Sequence, residues 1–261
     1  MVELATKAST TLVEIEDVYI QAHGMRMHYQ VAGPLDAPPL VLLHGIGGSA
    51  TWWDKNIPAF AAHFRTYALD LPGFGQSWRL RERYTIKLLA DYLHQWLNLV
   101  GLERTHLLGH SLGGQIVMEF AAHNPERIDK LILASPSGVW VTMAERMAWF
   151  KKAPRIKIPP EQMLGVAMGT LRTDLLALSW SMTTMTRDAA QVPLNLKALQ
   201  MPILVLWGTA DMVLPPLAAP RVIEMITQHP AKLVYIENAS HDLMVDQFEA
   251  FNRATLAFLL E

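Results

Sequence analysis

The sequence predicts an α/β protein: a doubly wound, mostly parallel sheet of eight strands with an inserted helical cap. A hairpin-like segment opens the chain, six apolar runs follow it, and amphipathic helical patterns alternate with those runs. Unbroken apolar strands are typical of a parallel sheet that helices cover on both faces. The chain has 261 residues, of which 51% are hydrophobic, so it can bury one large core.

The first two predicted strands form a hairpin. Val18–Gln21 and Met27–Val31 have strand character, and His23-Gly24 separates them. The six apolar runs are the remaining strands, at residues 40–43, 66–69, 107–108, 131–134, 203–207 and 233–236. Two antiparallel strands followed by repeated strand–helix units favour an open, doubly wound sheet.

Amphipathic helices are predicted between the strands and at the end of the chain. Apolar residues recur at the helical spacing in the segments 86–100 and 248–259. Gly101 stands where the first of these helices is expected to end, because glycine is common just beyond a helix C-terminus.

The regular alternation stops between residues 136 and 196. This stretch holds 6 of the 14 methionines and 3 of the 8 tryptophans, and it also contains Pro154, Pro159 and Pro160. We interpret residues 136–196 as a helical cap inserted into a core of residues 14–135 and 197–261. Residues 1–13 are interpreted as a polar lead-in.

Composition excludes several classes of function. The net charge is −2 and no basic stripe is present, so we expect no nucleic-acid partner. The chain has no cysteine, which excludes thiolate nucleophiles and cysteine metal sites. No metal-ligand spacing is present, and we expect no metal and no cofactor. No apolar stretch reaches the roughly 18 residues of a membrane span and no signal-peptide pattern is present, so a cytoplasmic location is expected.

The segment Gly109-His110-Ser111-Leu112-Gly113 matches a nucleophile elbow, a serine on a sharp turn between a buried strand and a helix. An apolar run precedes it, and a mostly apolar helical segment follows it. Glycines beside such a serine fit a turn in which strand and helix pass close together. The five-residue pattern alone is weak evidence, so the surrounding motifs decide its meaning.

Polar or glycine-rich motifs follow five of the predicted parallel strands. In such sheets ligands bind beyond the carboxyl ends of the strands, so these motifs are predicted to share one rim. They are His44–Gly48, Asp70–Ser77, the Ser111 turn, Gly208–Asp211 and Asn238–Asp242. A serine, an aspartate and a histidine therefore come together in that order along the chain.

Ser111, Asp211 and His241 are the residue types that nucleophilic catalysis by serine requires. A serine hydroxyl is a poor nucleophile unless a base takes its proton, and an imidazole such as that of His241 titrates near neutral pH. A buried Asp211 carboxylate would fix the imidazole tautomer. The backbone N–H groups of Ile46 and Leu112 are the expected donors to the oxyanion.

Together the motifs resemble those of the α/β-hydrolase fold superfamily, over almost the full length of the chain. The resemblance is closest to serine esterases of the carboxylesterase type that carry a helical cap. It implies a triad of Ser111, His241 and Asp211, an oxyanion hole at Ile46 and Leu112, and a cap inserted after the sixth strand. The matching motifs are His44–Gly48, Asp70–Ser77, Gly109–Gly114, Trp207–Asp211 and Ala239–Asp242.

Other residues near the rim have structural interpretations. His44 and His110 each lie in a glycine turn and are expected to bond backbone groups there, and Asp70 is expected to hold the turn that follows it. The remaining histidines are interpreted as surface or packing residues: His23, His28, His63, His94, His106, His123 and His229.

The cap is expected to line an apolar pocket for the acyl or alcohol group, because methionine adapts to irregular apolar ligands. Trp140 and Val213 follow rim strands closely, so they are candidate substrate-binding residues.

The expected activity is hydrolysis of a small-molecule carboxylic ester through an acyl-enzyme, with a preference for apolar short-to-medium acyl groups. Carbon–carbon bond hydrolysis, lactonase and perhydrolase activity on the same fold stay open. The carbon–carbon hydrolases typically have asparagine before the serine and tryptophan after the histidine, where this chain has His110 and Asp242. A receptor-like protein with vestigial catalysis is a further alternative.

Overall fold

The computed structural model describes residues 13–22, 25–154 and 173–261. Within these ranges eight strands form one sheet, in the order β1-β2-β4-β3-β5-β6-β7-β8 when numbered along the chain. The predicted eight-stranded α/β architecture is therefore confirmed. The strands are β1 (Glu16–Ala22), β2 (Met25–Ala32), β3 (Pro39–Leu43), β4 (Arg65–Leu69), β5 (Thr105–His110), β6 (Ile128–Ala134), β7 (Ile203–Gly208) and β8 (Ala231–Ile236).

The sheet is antiparallel only at its first edge. β1 pairs antiparallel with β2, with Glu16 opposite Val31, and β2 pairs antiparallel with β4. The remaining neighbours, from β3–β4 to β7–β8, are all parallel. The predicted opening hairpin is confirmed, although its turn at residues 23–24 lies outside the described residues. Because β3 to β8 run in one direction, the loops at their carboxyl ends share one edge of the sheet.

Helices lie between the strands and after the last of them. Those of the described ranges are α1 (Ile57–Phe60), α2 (Ile86–Leu99), α3 (Leu112–His123), α4 (Met143–Lys152), α5 (Leu175–Arg187), α6 (Val192–Ala198), α7 (Ala219–Met225), α8 (Leu243–Asp246) and α9 (Phe248–Leu259).

The segment between β6 and β7 contains α4, α5 and α6, at the place where the sequence predicts the cap. Pro159 and Pro160 of that segment lie outside the described residues, as do residues 1–12 of the predicted lead-in. The division into a core of residues 14–135 and 197–261 and a cap of residues 136–196 stays a prediction.

Apolar side chains cover both faces of the sheet. Along β3, Val41 and Leu43 belong to one core cluster, whereas Leu40 and Leu42 belong to another. The first cluster includes the buried faces of α2 and α3, and the second includes that of α9. Successive residues of a strand point to opposite faces, so a strand covered on both sides is apolar throughout. This arrangement explains the unbroken apolar runs of the sequence.

The α2 helix shows how local sequence sets the bounds of an element. The Thr85 hydroxyl caps its first turn by accepting a hydrogen bond from the N–H of Leu88 at 2.9 Å. Leu93 and Trp96 are buried on its apolar face. Gly101 follows the helix with a φ of +74°, a conformation that glycine adopts at little cost. The predicted helix and its glycine stop are confirmed.

Candidate active site

Ser111 stands between the last residue of β5 and the first residue of α3. Its backbone has a φ of 50° and a ψ of −114°, a region that residues other than glycine rarely adopt. The Ser111 N–H donates to the carbonyl of Ala134 at 3.0 Å, which ties the turn to the end of β6. The residue is only 4% exposed. The structure thus holds the serine in a strained, tightly supported turn.

Two glycines of the motif allow the strand and the helix to approach each other. A Cβ on Gly109 would lie 2.5 Å from the carbonyl oxygen of Gly113, and a Cβ on Gly113 would lie 2.5 Å from that of Leu43. Both distances are far below ordinary contact, so a larger residue at either position would displace α3. The close approach of strand and helix, which the sequence suggests as the reason for these glycines, is therefore present in the structure.

Asp211 lies in the loop after β7 and is completely buried. Its Oδ1 accepts hydrogen bonds from the N–H groups of Val213 at 2.9 Å and Leu214 at 2.7 Å. Its Oδ2 accepts a hydrogen bond from Nδ1 of His241 at 2.8 Å. One carboxylate oxygen is thus fixed to its own loop while the other orients the imidazole.

His241 lies in the loop between β8 and α8. Burial lowers the pKa of its imidazole, but the charge of Asp211 and the hydrogen bond to it together raise that pKa above its ordinary value. The bond at Nδ1 also fixes the tautomer, so Nε2 of the neutral ring is free to accept a proton. This ring has the chemistry of a general base.

Ser111 directly follows His110, and His110 contacts His241 at this edge of the sheet. The His110 and His241 ring centroids are 4.8 Å apart, and Nε2 of His110 lies 2.9 Å from the backbone oxygen of His241. Within the described part of the chain, neither the Ser111 hydroxyl nor Nε2 of His241 makes a hydrogen bond. The structure therefore joins Asp211 directly to His241, whereas the Ser111 hydroxyl, on the residue after His110, is hydrogen-bonded to neither.

Ile46, in the turn after β3, and Leu112, at the start of α3, lie at the same edge of the sheet. Leu112 is the first residue of α3, and N–H groups of a first helical turn have no partner within the helix. Ile46 belongs to a glycine turn in which the N–H of Gly48 donates to the carbonyl of Gly45 at 3.1 Å. Among the described residues, no acceptor takes up either N–H. An oxyanion hole formed by these two N–H groups stays a prediction.

Both rim histidines bond backbone groups, but only His44 does so in its own glycine turn, as the sequence predicts; the partner of His110 lies in the His241 loop. Nδ1 of His44 donates to the carbonyl of Gly45 at 2.7 Å, and its Nε2 accepts from the N–H of Leu71 at 3.0 Å. His110 contacts the backbone of His241 in the way described above. Each ring thus supports a loop of the site.

A cavity of about 630 Å³ opens beside His241. Val213, one of the two predicted substrate-binding residues, lies in its wall. Trp140, the other, is exposed and is not among the described lining residues. The described lining includes two charged side chains, Asp242 and Lys151. The other described lining residues are Phe150, Ala153, Pro154, Ala210, Met212 and Ser240.

Sequence reasoning missed two residues of α4 that contact the loop of Asp211. The indole Nε1–H of Trp149 donates to the backbone carbonyl of Asp211 at 2.9 Å, and Arg146 donates to that of Val213. These contacts join residues more than 60 positions apart in sequence. No local sequence pattern predicts these contacts. A tryptophan on an amphipathic helix fits the same pattern whether it only packs or also donates a hydrogen bond to another loop.

Asp70 holds the turn after β4, as predicted. Its Oδ1 accepts from the N–H of Ala50 at 2.6 Å, and its Oδ2 accepts from the N–H of Gln76 at 2.7 Å. Nδ1 of His28 donates to Oδ2 at 2.6 Å, and Nε2 of His28 donates to Asp17 at 2.9 Å. His28, which the sequence suggests to be a surface or packing residue, is instead a buried residue bonded to two carboxylates.

Within the described residues, no group of three or more metal-ligating side chains has an arrangement that could hold a metal ion. In the same ranges, no helix combines the length and the apolar character that crossing a bilayer requires.

Comparisons with known proteins agree with the fold. The family model of the alpha/beta hydrolase fold matches residues 38–186, which is more than half of the chain. An uncharacterized protein of Mycobacterium tuberculosis is 38% identical over 117 residues, 45% of this chain and 34% of its own length. The chain therefore spans about a third of the length of the mycobacterial relatives that it matches.

Other relatives align with nearly the whole chain. Carboxylesterase YbfK of Bacillus subtilis is 27% identical over 95% of this chain and 88% of its own. Comparison with the crystal structure of that carboxylesterase gives a TM-score of 0.77, and the match covers 95% of this chain and 92% of the carboxylesterase chain. A hydrolase of Pseudomonas aeruginosa is 28% identical, with a TM-score of 0.79 over 93% of this chain and 98% of the other. The chain belongs to the alpha/beta hydrolase fold family.

Proposed function

We propose that this protein is a serine hydrolase that cleaves carboxylic esters through an acyl-enzyme on Ser111. The observation that carries the proposal is the hydrogen bond between Asp211 and His241, on a loop that contacts His110, the residue directly before a serine held at a positive φ. A buried carboxylate that orients an imidazole next to a strained serine is the arrangement that activates a serine hydroxyl. The similarity to carboxylesterase YbfK gives independent support.

The proposed reaction has two halves. The Ser111 oxygen attacks the ester carbonyl while Nε2 of His241 takes the hydroxyl proton. The negative charge that develops on the carbonyl oxygen is stabilised by the N–H groups of Ile46 and Leu112. The tetrahedral intermediate then collapses, the C–O bond to the alcohol breaks, and His241 returns the proton to the leaving oxygen.

The second half repeats these steps with water as the nucleophile. His241 takes a proton from the water as its oxygen attacks the acyl carbonyl of Ser111, and the released serine oxygen receives that proton. Asp211 stays ionised throughout and stabilises the imidazolium that forms in each half. The proposed chemistry needs no group beyond these side chains and backbone donors.

The cavity beside His241 supports an ester with apolar groups of short-to-medium length. Its volume of about 630 Å³ suits a small molecule, and Phe150, Met212 and Val213 give it an apolar wall. We propose Val213 as a contact for the acyl or alcohol group. Trp140 stays a second candidate contact, on the prediction from its position after β6.

A chain-length series of p-nitrophenyl esters, from acetate to palmitate, tests the proposed function. We expect turnover on the short and medium esters, and a fall in kcat of about 10⁴-fold or more in Ser111→Ala. Ser135→Ala is the matched control, because Ser135 is also buried and has a φ of 40°. This variant is expected to keep its activity.

Several results would replace the proposal with another function. Undiminished activity in Ser111→Ala would exclude the serine mechanism. A preference for emulsified palmitate would indicate a lipase, and turnover of a dienoate ring-fission product without ester turnover would indicate a carbon–carbon hydrolase. A stoichiometric burst without turnover would indicate a receptor-like protein.

A further inference from the structure

His110 is a buried histidine that the proposed reaction does not use. It is the last residue of β5, directly before Ser111, and it is 1% exposed. Burial lowers its pKa well below the ordinary value, and the neighbouring His241 lowers it further. The ring is therefore neutral near pH 7 and carries a single N–H.

The position of that N–H follows from the surroundings of the two ring nitrogens. Nδ1 of His110 is buried and has no hydrogen-bond partner among the described residues. Nε2 lies 2.9 Å from the backbone oxygen of His241, which can only accept. The proton is therefore on Nε2, and His110 donates to His241.

This bond joins two loops that are otherwise separate. The loop of His241 is tied to the loop of Asp211, since the N–H of Ala210 donates to the carbonyl of Ala239 at 2.9 Å. In the part of the chain that the structure describes, the bond from His110 is the one hydrogen bond between the His241 loop and the β5–Ser111 turn. Without it, no hydrogen bond among the described residues would join the His241 loop to the turn that carries Ser111.

The surroundings of His110 leave its ring little freedom. A Cβ on Gly45 would lie only 2.8 Å from Nδ1 of His110, which shows that the backbone of the glycine loop lies close to the ring. Trp52 flanks it with a centroid distance of 6.1 Å, and the His241 ring lies against it at 4.8 Å. A ring packed in this way can hold the His241 backbone in a fixed position relative to β5.

We propose that His110 is a positioning residue: its Nε2–H holds the backbone carbonyl of His241 and so keeps the imidazole base beside the Ser111 hydroxyl. The inference rests on the proposed function for its effect on rate, but the bond itself is independent of the substrate. A displacement of about 1 Å at a reacting group lowers rates by about 100-fold, so a lost tether is expected to act on kcat.

Two variants separate the tether from the bulk of the ring. Gln places its amide nitrogen as many bonds from Cβ as Nε2 of histidine, so His110→Gln retains a donor at this position. His110→Leu fills similar space without a donor. We expect kcat on p-nitrophenyl acetate to fall about 10- to 100-fold in His110→Leu with little change in KM, and His110→Gln to recover most of it.

A spectroscopic measurement tests the same tether without turnover. The proton shared between Nδ1 of His241 and Asp211 is expected to give a downfield ¹H NMR signal. We expect this signal to persist in His110→Gln and to shift or broaden in His110→Leu. If His110→Leu does not fold, His110→Met, which also lacks a donor, replaces it in both measurements.

The inference is overturned if the donor-free variant keeps both the kcat and the NMR signal of the wild-type protein, or if the Gln and donor-free variants lose activity equally. The two proposals fail in different ways. Absence of ester turnover in the wild-type protein would remove the proposed function, and the NMR comparison would still decide the contact. Normal turnover together with an unchanged NMR signal in the donor-free variant would remove this inference alone.

Discussion

At the level of single residues, Asp211 divides its two oxygens between structure and chemistry. Oδ1 is held by two backbone N–H groups of its own loop, and Oδ2 faces Nδ1 of His241. The carboxylate thereby has a fixed direction before any substrate arrives. A base that is already oriented loses little entropy when the reaction begins. The raised pKa of His241 has its physical origin in this pair.

Replacing this carboxylate by an amide tests its influence on the base. In Asp211→Asn the amide oxygen can still accept from Val213 and Leu214, but its NH₂ group then faces Nδ1 of His241. The imidazole is expected to adopt the other tautomer, which cannot take the serine proton, so kcat falls about 10³- to 10⁴-fold. Loss of the negative charge also removes the interaction that raises the pKa of His241, so the acid limb of any remaining kcat/KM profile moves to lower pH.

The control for this variant is Asp129→Asn, on β6, where the carboxylate pairs with Arg104 far from the proposed chemistry. Its kcat is expected to match that of the wild-type protein. A similar kcat in both variants would contradict the assignment of Asp211.

At the level of elements, α4 is hydrogen-bonded to the loop that carries Asp211, the proposed acid. Its first turn has a capping box, in which Glu145 accepts from the N–H of Thr142 at 2.8 Å and Thr142 accepts from the N–H of Glu145 at 3.2 Å. Farther along, Trp149 donates to the backbone carbonyl of Asp211. A well-capped helix therefore supports the acid from the side of the predicted cap.

Removing the Trp149 N–H tests whether this support matters for rate. Trp149→Phe keeps an aromatic ring for packing but cannot donate to Asp211. We expect kcat to fall about threefold to tenfold, because one hydrogen bond is worth about 1 kcal/mol. Met147→Leu, on the same helix and half exposed, is the matched control and is expected to leave kcat unchanged. Equal activity of the two variants in the p-nitrophenyl acetate assay would show that α4 is not coupled to the acid.

At the level of the whole molecule, His28 connects the antiparallel edge of the sheet to the rim. It lies on β2, and both ring nitrogens donate to carboxylates: Nδ1 to the buried Asp70, and Nε2 to Asp17 on β1. Both nitrogens can donate at once only in the imidazolium form, which is the form that two neighbouring carboxylates stabilise. Burial lowers the pKa of His28, but the hydrogen bonds and charges of the two aspartates outweigh it and raise the pKa overall.

A raised pKa in the folded state makes stability depend on pH. The contribution of His28 is complete below the unfolded-state pKa of about 6.5, and it is lost as the pH rises through the higher folded-state pKa. We therefore expect the stability difference between wild-type protein and His28→Gln to shrink when the pH is raised from about 6 to 8. Urea denaturation at several pH values measures this difference.

The size of the effect and its control follow from burial. At the acidic end of the range we expect His28→Gln to lower the free energy of unfolding by about 2 kcal/mol, since it breaks two charge-assisted bonds to a buried ring. His63→Gln replaces an exposed histidine and is expected to change little. A stability difference that grows with pH would contradict the proposed imidazolium.

Residues tied to a strand end were predictable from the sequence, because parallel strands bring their carboxyl ends to one edge whatever else the fold does. Ser111, Asp211 and His241 each follow a strand end, and the bond between Asp211 and His241 agrees with this reasoning, as does the bond between His44 and the glycine loop. The strained turn was predictable too, since only glycines fit the close approach at positions 109 and 113.

Contacts that depend on how separate elements dock were not predictable. The pairing of His28 with Asp17 requires the register of β1 on β2, which periodicity leaves open. The bond from Trp149 to the Asp211 loop requires the placement of α4, and an amphipathic pattern does not fix that placement. The tether from His110 combines both cases: its position beside the serine was evident, whereas its partner on the His241 loop was not.

Reaction with a fluorophosphonate, followed by mass spectrometry of the intact and digested protein, asks whether Ser111 is the nucleophile. We expect one adduct per chain, located on the peptide that contains Ser111, in both the wild-type protein and Ser135→Ala. Ser111→Ala is predicted to form no adduct. An unlabelled wild-type protein, or an adduct on any other serine, would contradict the proposal that Ser111 is the nucleophile.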